Sequence, residues 1–93
     1  MEPLVIHLSS YGSHLGSRLL GRDIFAHFFD KINGAEFIVI DFMDVHQISL
    51  SFGTELFDSI YTLHKPFKTV NENDFTKSIT DFCKDQIRLK GTA

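Results

Sequence analysis

Four consecutive apolar residues, Phe37-Ile38-Val39-Ile40, constrain the fold of this chain more than any other segment. Successive side chains of a β-strand point to opposite faces, so a strand built from this run presents apolar surface on both. That pattern predicts a strand in a parallel sheet with helices on each side. The neighbouring segments agree. Leu4-Val5-Ile6-His7-Leu8 follows Pro3 and is short and β-branched, which predicts a first strand. Ser9 to His14 is rich in turn residues. From Leu15 to Ile32 the spacing is helical. Ile24, Phe25, Phe28, Phe29 and Ile32 share one broad face, and Asp23, His27, Asp30 and Lys31 the other. Asn33-Gly34 is expected to close this helix, with Gly34 as a left-handed cap.

The apolar strand lies within Glu36 to Phe42, and Asp41 to Ser51 reads as a connecting loop. A second helix is predicted from Ser51 to His64. Its stripe is Phe52, Leu56, Ile60 and Leu63, widened by Phe57 and Tyr61, and Pro66 stops it. Phe67 to Asn71 reads as a short strand. Asn73 or Asp74 caps a third helix, with Phe75, Ile79, Phe82, Cys83 and Ile87 expected inward. The tail, Lys90 to Ala93, is expected to fray.

The resulting order, β-α-β-α-β-α, predicts a small α/β sandwich with a mainly parallel sheet and right-handed crossovers. Its 93 residues fit one domain spanning 1–93. In open α/β sheets the functional crevice lies beyond the carboxyl ends of the strands. Two segments leave those ends, Ser9 to Gly16 and Asp41 to Ser51, so a site is expected there.

Composition narrows the function classes. Nine basic residues against twelve acidic ones give a net charge of −3, which is not the footprint of a nucleic-acid binder. A four-residue apolar run is far too short to span a bilayer. Met1-Glu2-Pro3 begins no secretory signal, and one cysteine forms no internal disulfide, so a cytoplasmic protein is expected. Ten phenylalanines in so short a chain either fill the core or leave some outside as a partner patch.

Individual residues carry weaker signals. Ser51, at a helix start, reads first as a cap accepting a hydrogen bond from a free amide. It is also a candidate phosphosite, because a phosphate there would meet open amides and the positive end of the helix dipole. Arg18 falls beside Phe25 and Phe29 on the helical wheel, so a carboxylate partner is expected for it, with Asp41 as one candidate. No histidine pair is spaced i,i+4 and no HExxH occurs, so neither a metal nor a cofactor is expected. His7 reads as a core histidine and Cys83 as a small buried hydrophobe. His14 and His46 lie on the two loops of the functional end. With Asp41 or Asp44 they make the less favoured reading of a small enzyme.

The segment Val39 to Leu56 carries a more specific pattern. Together with Gly12 and Ser17-Arg18 it resembles the STAS domain, the module of anti-sigma-factor antagonists, and more closely a STAS-like family of unknown function. That family's pattern is Asp-Phe-x-x-Val-x-x-Ile-x-x-Ser-Phe-x-x-Glu. Here it is met by Asp41-Phe42, Val45, Ile48, Ser51-Phe52 and Glu55. The resemblance implies that Ser51 matches the serine phosphorylated in the antagonists and that Arg18 pairs with Glu55. Ser49, Leu50 and Phe52 stand where the antagonists have Asp, Ser and Gly. It further implies a non-enzymatic, anti-anti-sigma-like regulatory module acting by protein–protein interaction in signalling. The partner loop would comprise Asp44, His46, Gln47, Ser49, Ser51 and Phe52, and the partner would be an ATP-binding anti-sigma-type kinase or another signalling protein, with a homodimer possible. The competing expectation is a small inhibitory or structural protein that docks on a larger complex.

Overall fold

A computed structural model describes residues 3–92, with side chains to residue 89. The chain runs β1 (Leu4–His7), one short 3-10 helix (Leu8–Tyr11), β2 (His14–Leu15), α1 (Arg18–His27), α2 (Phe29–Gly34), β3 (Ile38–Asp41), β4 (Gln47–Ile48), α3 (Leu50–Thr62), β5 (Phe67–Val70) and α4 (Asp74–Thr92). The fold is α/β. Every strand pairing is parallel, in a three-stranded sheet of order β1-β3-β5 and a two-stranded ribbon β2-β4. No helix among the described residues is long and apolar enough to cross a membrane.

The main sheet follows from its residues. Ile6, Ile38 and Ile40 are fully buried, and Leu4 and Phe67 pack against them. Ile24 of α1, Phe52, Leu56, Phe57 and Ile60 of α3, and Cys83 and Ile87 of α4 complete the core above this face. The opposite face departs from expectation. It carries Val5, Val39 and Lys68 in one register row and His7, Asp41 and Val70 in the next. None of these six is buried, so β3 alternates between covered and uncovered positions instead of being buried on both sides. The helices form one layer, and the apolar run fills only half of its pattern.

Local competition explains the other differences. The first helix starts at Arg18, not Leu15, because His14 and Leu15 are drawn into pairing with Gln47 and Ile48. Ser17 then caps it, its Oγ accepting from Leu20 N–H at 3.0 Å. The helix is interrupted at Phe28 (φ −98°, ψ 6°), and a second helix carries on to Gly34. Gly34 is not left-handed: among the described glycines only Gly12 has positive φ. The segment between Asp41 and Ser51 is not wholly loop, since it contains β4. In α4 the inward stripe is Thr76, Thr80, Cys83 and Ile87, with Ile79 partly buried. Phe75 and Phe82, expected inward, are exposed.

Candidate functional site

The β2-β4 ribbon brings the two predicted segments together. His14 pairs with Gln47 and Leu15 with Ile48. Ser13 O accepts from both His46 N–H (2.8 Å) and Gln47 N–H (3.1 Å), and Leu15 O accepts from Ser49 N–H (3.0 Å). The imidazoles of His14 and His46 stack with centroids 6.0 Å apart. His14 Nδ1 is also hydrogen-bonded to Ser13 Oγ at 3.0 Å. These histidines, Gln47, Asn73, Asp74 and Phe75 line a cleft of about 430 Å³. Asn73 pins its wall, its Nδ2 donating to the carbonyls of Val45 (3.3 Å) and His46 (3.0 Å). The same residue caps α4 reciprocally: Thr76 N–H donates to Asn73 Oδ1 and Asn73 N–H donates to Thr76 Oγ1. One asparagine thus fixes both the helix start and the rim.

Ser49, not Ser51, caps α3. Its Oγ accepts from Phe52 N–H at 3.1 Å and donates to Gly16 O at 2.9 Å, joining the helix to the strand beside it. Ser51 is exposed in the first turn. Ser49→Ala is therefore expected to cost about 1–2 kcal/mol, since it removes a cap and orphans two backbone groups, while Ser51→Ala stays within about 0.5 kcal/mol. Urea unfolding of the two variants side by side checks the assignment. Equal effects would refute it.

The other predicted residues are scattered. Phe52, placed in the partner loop from sequence, is fully buried and cannot touch a partner. His46 and Gln47 are exposed, as is Asp44, which adopts a left-handed backbone (φ 64°). Arg18 lies outside the apolar face, 74% exposed, with Nε 3.5 Å from Glu55. Exposure leaves that pair worth little, a link between α1 and α3 and no buried charge.

Asp41 engages His7, not Arg18. His7 is no core histidine: its side chain is 62% exposed and its Nδ1–H donates to Asp41 Oδ2 at 3.0 Å. Asp41 Oδ1 accepts from Asn71 Nδ2 (2.9 Å) and Met43 N–H (2.9 Å). One carboxylate so ties together the carboxyl ends of β1, β3 and β5. The sequence reading missed Asn71. Its only signal was a polar residue at the end of a short strand; its place one residue beyond Val70, which pairs with Asp41, and its left-handed backbone (φ 61°) are legible only in the fold.

The Asn71 amide and then the Met43 N–H hold the Asp41 carboxyl below its ordinary range; partial burial opposes them, and His7 adds to the lowering. A lowered carboxyl binds its proton less readily in the fold than in the unfolded chain. Its stabilising contribution is therefore full above the unfolded value near pH 4 and is lost as pH falls through the lower folded value. Asp41→Asn is expected to be less stable than the parent at neutral pH and to show a shallower loss of stability below about pH 4. Unfolding midpoints measured across pH 2–7 for both proteins test this, and parallel curves would refute it. Among the described residues, no group of three or more His, Cys, Asp or Glu side chains is placed to hold a metal.

Compared with protein-family models, curated proteins and solved structures, the chain matches none of them.

Proposed function

We propose that this chain is a cytoplasmic, non-enzymatic STAS-like interaction module. Its rim at the β2-β4 ribbon and the start of α3 is read by another protein, such as an ATP-binding anti-sigma-type kinase. The observation that carries the reading is the parallel pairing of β2 with β4, which sets the Gly12 turn and the residues around Ser49 side by side. Exposed apolar side chains flank this rim in sequence, Met43 before it and Leu50 within it, as docking requires. Ser51 stands beside Leu50 in the first turn of α3. A phosphate on it would sit near the positive helix end and add about −1.5 to −2 charge, which repels an acidic or apolar partner surface.

Binding is favoured over catalysis by the cleft itself. Neither His14 nor His46 is hydrogen-bonded to a carboxylate among the described residues; His14 Nδ1 meets the neutral hydroxyl of Ser13, so no acid there raises the basicity of an imidazole. The test is direct. Incubation with ATP and a candidate anti-sigma-type kinase should label Ser51, and Ser51→Asp should weaken capture of that kinase at least tenfold, while Ser51→Ala keeps capture and loses labelling. Unlabelled protein together with unchanged capture by Ser51→Asp would overturn the switch.

A further inference from the structure

The chain has five histidines, and all of them are exposed. Among the described residues only His7 is hydrogen-bonded to a carboxylate. It is the last residue of β1, and the fully buried Ile6 and Leu8 on either side of it fix its backbone. The parallel register sets it beside Asp41 at the carboxyl edge of the main sheet, where the sites of open α/β folds gather.

Asp41 leaves this imidazole one tautomer. Its carboxyl is held below the ordinary range, so at neutral pH it is ionised and only accepts hydrogen bonds. Nδ1 must then carry the proton that it donates across 3.0 Å, which leaves the ring's lone pair on Nε2. No hydrogen bond among the described residues occupies Nε2, and the side chain is 62% exposed, so a reagent can reach it from solvent. The carboxylate is not free to swing away. Its other oxygen accepts from Asn71 Nδ2 and Met43 N–H, both at 2.9 Å. A fixed lone pair with an ionised group behind the ring is the arrangement of a nucleophilic histidine.

We propose that His7 is a phosphoryl acceptor, its Nε2 taking the group from a donor with a labile N–P bond. The Nε2 lone pair forms the new bond to phosphorus as the donor's N–P bond breaks. The protonated donor nitrogen keeps the electron pair of the broken bond and leaves as a neutral amine or ammonia. The ring retains its Nδ1 proton and becomes an imidazolium carrying the phosphoryl group. Asp41 stabilises the positive charge that develops on the ring, so its hydrogen bond strengthens as the new bond forms. A donor of this class fits because the product is itself an N–P bond, and exchange between like bonds costs little. The inference goes beyond the reading of Ser51 and does not rest on it.

Potassium phosphoramidate is the probe, used at about pH 8, where ordinary imidazoles are neutral. Site-resolved mass spectrometry of the folded wild type should show His7 labelled about tenfold or more faster than His14, His27, His46 and His64. Phosphorus NMR should show the Nε2 isomer at His7, and unfolding in urea should bring the five rates together. Asp41→Asn removes the charge and keeps the size. It should slow labelling of His7 by about tenfold or more, and nitrogen NMR should show the ring released from the Nδ1–H tautomer. Circular dichroism verifies that this variant folds, and the comparison of the five histidines needs no variant. His7 labelled no faster than the other four in the folded protein, or at the wild-type rate in folded Asp41→Asn, would overturn the proposal.

Discussion

Phe57→Ala is expected to lower the free energy of unfolding by about 3–5 kcal/mol, the cost of removing a buried aromatic ring and leaving its cavity. Phe57 is fully buried on α3. Its ring stacks on Phe67 of β5 with centroids 5.4 Å apart and planes within 9°. Its edge also lies 3.6 Å from where a side chain on Gly53 would begin. One ring therefore joins the helix layer to the sheet edge, and alanine would leave both walls without contacts. A domain of this size has net stability of only about 5–15 kcal/mol, so the variant should approach the limit of folding. Phe57→Leu keeps most of the volume and should cost about half as much or less. Urea denaturation monitored by circular dichroism gives both numbers; a loss below about 1 kcal/mol for the alanine variant would mean that this ring does not hold α3 to β5.

Gly21→Ala should destabilise the protein by about 1–3 kcal/mol, against the sign expected from helix propensity, on which alanine is better than glycine by about 1 kcal/mol. A Cβ on Gly21 would lie 2.9 Å from the Phe52 carbonyl oxygen, 3.4 Å from Glu55 Cβ and 3.5 Å from Leu56 N. The obstacle is the backbone of α3, which cannot swing aside as a side-chain end can. α1 and α3 must then part, which loosens the contact between Ile24 and the Phe52–Leu56 stripe. Gly34 is the internal control. It is helical, lacks positive φ and has open space where an alanine methyl would stand, with nothing within 4 Å, so Gly34→Ala should be neutral or stabilising by up to about 1 kcal/mol. Thermal melts of the two variants should shift in opposite directions or differ by several degrees. Equal melts would contradict the close approach of the two helices.

Much of the site was legible for one reason: residues near in sequence carry their own turn and cap chemistry. The strand ending at Asp41 and the serine-rich helix start follow from local pattern. So does the placing of both segments at the carboxyl end of a parallel sheet, once β-α-β alternation is seen. What failed was the choice between chemically similar neighbours. The sequence reading made Ser51 the cap and did not weigh Ser49, two residues earlier, for that role. The register of β4 against β2 settles the matter, because only Ser49 lies close enough to bond Gly16 O as well. Phe52 was given two roles, the head of the second helix's apolar stripe and a member of the partner loop, and its burial keeps only the first. Phe75 and Phe82 looked buried because they share a helical stripe with Ile79, Cys83 and Ile87. The helix turns Thr76 and Thr80 inward in their place, beside Cys83 as expected, since small residues let α4 pack closely on α3, where the Cys83 sulfur would lie 2.9 Å from a Cβ on Gly53.

Alternating apolar segments and their punctuation by Pro, Gly, Asn and Ser determine a parallel α/β domain with its loops at one end, because side-chain period and turn chemistry act over a few residues. The tertiary structure alone decides that the sheet is covered on one face only, that His7 and Asn71 converge on the Asp41 carboxylate, and that α4 keeps an apolar stripe outside. Those outcomes depend on which helix packs beside which strand and in what register, and contacts between residues far apart along the chain leave no periodic trace in its sequence.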